Sequence, residues 1–160
     1  MNVSDVMARA KALGIRVATA ESCTGGMFAA ALTEIAGASA VFERGFVTYT
    51  NVAKQDLLGV QAGTLEAYGA VSEPVAREMA LGTLSRAPVD LAVAITGIAG
   101  PGGSEFKPEG RVCFACGTDP LDLVSETMNF GALGRIKVRQ AACTHALALL
   151  DAALSRIEQK

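Results

Sequence analysis

The stretch that decides the fold runs from residue 17 to residue 26 and reads Val17-Ala18-Thr19-Ala20-Glu21-Ser22-Cys23-Thr24-Gly25-Gly26. Its apolar first half has the composition of a buried strand, and the alanine-rich stretch from Met27 to Ile35 has a helical pattern. A serine, a cysteine, a threonine and two glycines join the two as a tight turn. The pattern therefore predicts a strand, a turn and a helix start, with the Ser22 hydroxyl above the end of the strand.

The start of a helix attracts negative charge, because its first N–H groups have no internal partner and the peptide dipoles add. We therefore expect the N–H groups of Thr24, Gly25 and Gly26 to hold an oxyanion or a phosphate beside Ser22. A plainer interpretation is that Ser22 only caps the helix, with Thr24 sharing that role.

Length and composition bound the possible functions. The chain has 160 residues, of which 51% are apolar and 19% charged, so residues 1–160 are expected to form a single domain with a real core. A net charge of -2, no basic run and 5% aromatic residues argue against a nucleic-acid partner. The apolar runs fall short of the ~20 residues that a membrane span needs, and the N-terminus does not have the pattern of a signal peptide. We expect a cytoplasmic protein, and the apolar surplus predicts a homodimer or a higher homo-oligomer.

The four cysteines and the single histidine do not predict a metal site. Cys113 and Cys116 lie in one apolar run, and in a strand their side chains point to opposite faces. Only His145 could add an imidazole, so a zinc site lacks ligands. We expect buried structural thiols in a reducing compartment, and neither a metal nor a cofactor.

The rest of the chain alternates helices and strands over its first two-thirds and then forms a hairpin. The predicted strands are Ile15–Ala20, Val41–Tyr49, Asp90–Ile95, Arg111–Gly117 and Leu121–Phe130, and the predicted helices are Met1–Leu13, Thr24–Ile35, Asn51–Leu58, one that begins after Ser72, and Arg135–Ile157. This order is typical of an α/β fold, a three-layer α/β/α sandwich with a mixed, mostly parallel five-stranded sheet.

Three strand ends carry side chains suited to chemistry. In α/β sheets ligands bind beyond the carboxyl ends of strands. If the first three strands are parallel neighbours, Ser22, Tyr49, Lys54 and Thr96 converge on one cleft. Four glycines and a proline between residues 97 and 103 favour close approach of the backbone to a ligand over a simple turn.

A serine nucleophile needs a base to take its proton. His145 is the only histidine, lies in the terminal helix and is expected to be a packed or surface residue. Lys54 is the remaining candidate, since burial lowers the pKa of a lysine, and Tyr49 could relay a proton or hold the lysine in place. The alternatives are that Tyr49 is a strand-end aromatic, that Lys54 is a solvated helix residue, or that Cys23 is the nucleophile.

Several motifs occur together in this order: residues 21–26, Tyr49-Thr50-Asn51 with Lys54, residues 69–73, residues 96–103, and Lys107-Pro108 with Gly110. From about residue 5 to residue 155 the chain resembles the CinA C-terminal domain family, which includes nicotinamide-nucleotide amidases. The resemblance implies a mixed five-stranded α/β/α fold and hydrolysis of the carboxamide of nicotinamide mononucleotide to nicotinate mononucleotide and ammonia.

By motif position, the family's catalytic serine, tyrosine and lysine fall on Ser22, Tyr49 and Lys54. The resemblance also places Thr96 and an arginine at the active site. We expect a small-molecule nucleotide to contact the helix start, the glycine loop and the arginines, namely Thr24, Gly25, Gly26, Thr96, Gly97, Gly100, Arg135 and Arg139. The chain departs from the family at Leu133-Gly134, where a Gly-Asp pair is usual, and at Glu109, where an aliphatic residue is usual.

Two other functions fit the same residues. The cleft could bind a nucleotide with little or no catalysis, or it could hydrolyse another small carboxamide. Ammonia release from the mononucleotide separates the first from an enzyme, and a comparison of amides separates the second.

Overall fold

The computed structural model describes residues 1–104 and 106–160. The strands are Val17–Glu21 (β1), Phe42–Val47 (β2), Leu91–Gly97 (β3), Arg111–Gly117 (β4) and Val124–Asn129 (β5). The helices are Val3–Ala12 (α1), Met27–Thr33 (α2), Asn51–Leu58 (α3), Ala62–Tyr68 (α4), Glu73–Arg86 (α5) and Arg135–Glu158 (α6), with a 3-10 turn at Ala38–Ala40.

The five strands form one sheet in the order β2-β1-β3-β4-β5. β1 lies parallel to both β2 and β3, whereas β4 is antiparallel to β3 and to β5. The predicted mixed sheet is therefore confirmed, with four of the five strands running in the same direction. The register pairs Glu21 with Val47 on one side and with Ile95 on the other, so the first three strands end at the same edge.

Helices cover both faces of the sheet, which confirms the three layers. The face toward α1, α2 and α6 is built from larger apolar side chains, including Leu91, Val93 and Ile95 of β3. The face toward α3, α4 and α5 is built largely from alanine, including Ala92 and Ala94. Since successive residues of a strand point to opposite faces, one strand can present both kinds of surface.

Close packing of α5 and α3 depends on a glycine. A Cβ on Gly82 of α5 would lie 2.0 Å from the carbonyl oxygen of Leu58 at the end of α3. The two helices can pack at this distance only because residue 82 has no side chain. This contact sets the position of the helix that carries Lys54.

Several predicted boundaries differ from the structure. The second helix begins at Met27, three residues later than expected, because the turn at Gly25 and Gly26 has positive φ angles of 57° and 96°. The hairpin loop is longer than the three residues predicted, because β5 begins only at Val124. Residues 60–71, for which no element is predicted above, contain α4. None of the helices that the structure describes is long and apolar enough to cross a bilayer.

Candidate active site

The shared edge of β1, β2 and β3 opens into a cleft of about 400 Å³. Of the predicted site residues, the cleft is lined by Ser22, Tyr49, Lys54, Thr96, Gly97, Gly100 and Arg135. The other lining residues are Cys23, Asn51, Ala70, Val71, Ile98, Ala99, Pro101, Gly102, Gly103, Ser104 and Lys107. The expectation that separate segments meet at one edge of the sheet is therefore confirmed.

Ser22 and Lys54 form a buried pair at the base of the cleft. The Nζ atom of Lys54 lies 3.0 Å from Ser22 Oγ, and the two residues are 1% and 7% exposed, respectively. The Ser22 hydroxyl does not cap α2, whose N-cap residue is Gly26 without a side-chain hydrogen bond. The two plainer interpretations, a capping serine and a solvated lysine, are both wrong.

Lys54 is also held by two backbone carbonyls. Its Nζ atom donates to the carbonyl oxygens of Thr48 at 3.0 Å and Tyr49 at 3.2 Å. Thr50 caps the start of α3 by accepting from the N–H of Ala53, which fixes the first turn that carries the lysine. Burial lowers the pKa of Lys54 from 10.5 to about 8, an effect that a nearby Cys23 thiolate would oppose.

Tyr49 contributes its backbone and its phenol to different contacts. Its carbonyl oxygen lies near both Lys54 Nζ and Ser22 Oγ, the latter at 3.4 Å. Its phenol is half-exposed and accepts a hydrogen bond from the Arg135 guanidinium. In this structure the phenol therefore contacts Arg135, and it is the backbone of Tyr49 that contacts the pair.

Arg135 at the start of α6 links two walls of the cleft. Besides contacting Tyr49, it donates to the carbonyl oxygen of Gly100 at 2.7 Å. Gly134 precedes it with φ 93° and gives α6 no side-chain cap. The arginine therefore reaches the cleft although the usual Gly-Asp pair is absent.

The Glu21 carboxylate occupies the start of α2. The carboxylate of Glu21 is 1% exposed and accepts from the N–H groups of Phe28 and Ala29, both at 2.9 Å. These first-turn donors thus hold a side chain of the protein, in accord with the preference of helix starts for negative charge. This role of Glu21 was not predicted, although a carboxylate just before a helix start is a recognisable signal.

Four predicted substrate-binding residues are not among the residues that line the cleft. Arg139 donates to the carbonyl oxygens of Cys23 at 3.1 Å and Thr24 at 3.0 Å, and so braces the turn after Ser22. Gly25 donates its N–H to the Ser22 carbonyl, and Gly26 is the N-cap residue of α2. Direct contact of substrate with Thr24, Gly25, Gly26 or Arg139 stays a prediction.

Thr96 and Lys107 hold the segment at residues 68–71 beside the cleft. Thr96 donates to the carbonyl oxygen of Ala70 at 2.9 Å, and Lys107 donates to those of Tyr68 and Val71. Lys107 belongs to one of the motifs, but its role was not predicted, because no local pattern indicates contacts with residues 68–71.

The cysteines and the histidine are structural. Cys113 faces the α5 side of the sheet and Cys116 the α6 side, as predicted, and His145 packs against Phe114 with ring centroids 4.7 Å apart. Burial raises the pKa of Cys23 to about 12, which makes it a poor nucleophile. Within residues 1–104 and 106–160, no cluster of His, Cys, Asp and Glu could hold a metal ion.

A family model for the CinA C-terminal domain matches residues 2–154. The chain belongs to the CinA C-terminal domain family. It is 51% identical over 152 residues to the nicotinamide-nucleotide amidohydrolase PncC of Escherichia coli K12, a match that covers 94% of this chain and 92% of that protein. It is 50% identical over 149 residues to the PncC protein of Enterobacter agglomerans, with 92% and 91% covered. A CinA superfamily protein from Klebsiella pneumoniae has a solved structure with a TM-score of 0.90 and 38% identity, which covers 98% of this chain and 99% of that one.

Proposed function

We propose that this chain hydrolyses the carboxamide of nicotinamide mononucleotide to nicotinate mononucleotide and ammonia. The relatives named as nicotinamide-nucleotide amidohydrolases match more than nine-tenths of its length, and on that ground it is an amidohydrolase. The observation that carries the proposal is the 3.0 Å contact between Ser22 Oγ and Lys54 Nζ at the base of the cleft.

The proposed base is the neutral amine of Lys54, which the lowered pKa favours. Such an amine has two N–H bonds and one lone pair. Lys54 Nζ lies within 3.2 Å of Ser22 Oγ and of the carbonyl oxygens of Thr48 and Tyr49. In the proposed neutral form its two N–H bonds are donated to the two carbonyls, and its lone pair accepts the proton of the Ser22 hydroxyl. A pKa of about 8 leaves a useful fraction of the amine neutral near pH 7.

In the proposed first half-reaction, Ser22 Oγ attacks the amide carbon while its proton moves to Lys54. The negative oxygen of the tetrahedral intermediate would be held by backbone N–H groups in the turn after Ser22, worth about 3 kcal/mol per donor in comparable sites. Protonated Lys54 then gives its proton to the departing nitrogen, the C–N bond breaks, and ammonia leaves. This produces an ester between Ser22 and the nicotinoyl group.

In the second half-reaction, water attacks the ester while Lys54 takes one of its protons. The C–O bond to Ser22 breaks, the serine regains a proton from Lys54, and nicotinate mononucleotide leaves. The Tyr49 phenol would relay protons at the rim of the cleft. Thr96, Gly97, Gly100 and Arg135 line the same cleft, and we assign them to the nucleotide's ribose and phosphate.

The test is a product analysis on the purified chain. We expect ammonia and nicotinate mononucleotide in equal amounts from nicotinamide mononucleotide, and a kcat/KM for this substrate well above those for simple carboxamides. No ammonia release would favour a nucleotide-binding module. A higher kcat/KM on another small carboxamide would favour that compound as the substrate.

A further inference from the structure

Lys107 is a cation of the cleft whose role neither the motifs nor the proposed chemistry explains. Its Nζ atom donates to the carbonyl oxygens of Tyr68 at 2.5 Å and Val71 at 2.7 Å. An ammonium has three N–H bonds, so these two carbonyls leave one for another acceptor. Lys107 also lines the cleft, which places that third donor beside the ligand space.

The glycine loop lies between Lys107 and Arg135. Arg135 holds one part of this loop through the Gly100 carbonyl. Lys107 holds the other part through its backbone, since its N–H donates to the Ser104 carbonyl at 2.8 Å and its carbonyl accepts from the Ser104 N–H at 3.1 Å. Arg135 thus contacts one end of the loop with its side chain and Lys107 contacts the other end with its backbone, and the backbone of Gly102 and Gly103 between them is exposed.

The charge of the cleft favours an anion at this loop. Among the lining residues of the part of the chain that the structure describes, Lys107 and Arg135 are joined by Lys54 but by no carboxylate. Burial lowers the pKa of Lys54 and so favours its neutral form. Glu109 contacts Gly100 but is not among the lining residues.

The geometry points to Lys107 as a substrate-binding residue that, together with Arg135, holds the phosphate of the nucleotide at the glycine loop. This inference rests on the proposed function, because it assigns the phosphate of that substrate. It makes Lys107 a determinant of specificity for the phosphorylated nucleotide over the unphosphorylated nucleoside. A purely structural role would instead be to tie residues 68–71 to the loop.

The test compares Lys107→Met and Lys107→Gln with wild type on nicotinamide mononucleotide and on nicotinamide riboside, which lacks the phosphate. We expect kcat/KM for the mononucleotide to fall about 10- to 100-fold, mostly through KM, because a charge-assisted hydrogen bond is lost. The value for the riboside should change by less than about 3-fold, and Lys107→Arg should restore part of the loss. Lys137→Met is the matched control, since Lys137 is exposed on α6 and does not line the cleft.

Equal losses on both substrates would overturn the inference, because they indicate that Lys107 only shapes the wall. Unchanged kinetics on both would overturn it as well. The absence of ammonia release by wild type would count against the proposed function alone. Calorimetric titration with inorganic phosphate still tests the role of Lys107 in that case. We expect the Kd of phosphate to rise at least about 10-fold in Lys107→Gln and to stay unchanged in Lys137→Met. Equal binding by wild type and Lys107→Gln, or no binding by wild type, would contradict the role of Lys107.

Discussion

At the scale of single residues, the chemistry of the site depends on the hydrogen-bond partners of the Lys54 amine. It is 1% exposed, and within residues 1–104 and 106–160 its hydrogen bonds go to Ser22 and to two carbonyls, with no carboxylate among them. Burial of an ammonium without an anionic partner destabilises the charged form, so the neutral amine is favoured. The same burial that lowers the pKa makes the amine a base.

The dependence of activity on pH follows from this residue. Because the base is the neutral amine and its pKa is lowered from 10.5 to about 8, kcat/KM should rise about tenfold per pH unit up to pH 8 and then level off. The Cys23 thiol, with a pKa of about 12, titrates above this range. The measurement is the pH profile of kcat/KM for nicotinamide mononucleotide. Lys54→Met should show a low and flat profile, and a flat wild-type profile between pH 5 and pH 9 would contradict the assignment.

The phenol of Tyr49 can be tested apart from its backbone. Tyr49→Phe keeps the carbonyl that holds Lys54 but removes the hydroxyl that accepts from Arg135. If the phenol relays protons, kcat should fall about 10²-fold, the lower end of the range for acid–base groups. Steady-state kinetics at pH 8 gives the value. A kcat equal to that of wild type would mean that only the backbone of residue 49 matters.

At the scale of the elements, Glu21 joins β1 to α2. Its carboxylate takes two N–H groups of the first turn, and the next residue is the nucleophile. An anion held inside the protein at the helix start thus fixes the turn that carries Ser22. Sequence patterns placed this turn correctly and assigned the N–H groups of residues 24–26 to the substrate, which stays a prediction. They did not show that Glu21 turns back onto the next two donors, those of Phe28 and Ala29.

Glu21→Ala should therefore destabilise the chain. Two buried N–H groups would lose their acceptor, at a cost of about 2–4 kcal/mol, and Tm should fall by roughly 5–15 °C. Glu21→Gln should lose less, because the amide oxygen still accepts one bond. Chemical denaturation measures the change, with exposed Glu66→Ala in α4 as a control expected to stay within about 0.5 kcal/mol. If Glu21→Ala and Glu66→Ala were equally stable, the anchoring role would be wrong.

Substitution of Gly82 tests whether its close contact with Leu58 sets the position of α3. A Cβ there would meet the Leu58 carbonyl at 2.0 Å, so Gly82→Ala must push α3 away from α5, at a cost of about 1–3 kcal/mol. Since α3 carries Lys54, kcat should fall roughly 10- to 100-fold as the amine moves from Ser22. Gly63→Ala in α4 is the matched control, because a Cβ there meets nothing within 4 Å and should stabilise by about 0.5–1 kcal/mol. Equal activity of the two variants would contradict the link between α3 and the site.

At the scale of the whole molecule, the sheet brings distant segments together. The sequence could predict the Ser22–Lys54 pair because parallel neighbouring strands end at one edge, which is a property of the fold class. It could not predict that Arg135 reaches Tyr49, or that Lys107 reaches Tyr68 and Val71. Those contacts depend on how α6 and the loop after β3 fold back over the sheet.

The oligomeric state is also a property of the whole molecule. The apolar surplus predicted at least a dimer, and exposed apolar side chains such as Val52, Leu121 and Ile136 are present. The homodimer or higher homo-oligomer stays a prediction from composition.

The central claim is that Ser22, activated by Lys54, attacks the amide of nicotinamide mononucleotide. The most direct measurement is ammonia release from this substrate by wild type and Ser22→Ala, each first shown to be folded by its Tm. Wild type should turn over, and Ser22→Ala should be slower by about 10³-fold or more, since a serine nucleophile and its base act as a unit. Ammonia release by Ser22→Ala at the wild-type rate would contradict the account.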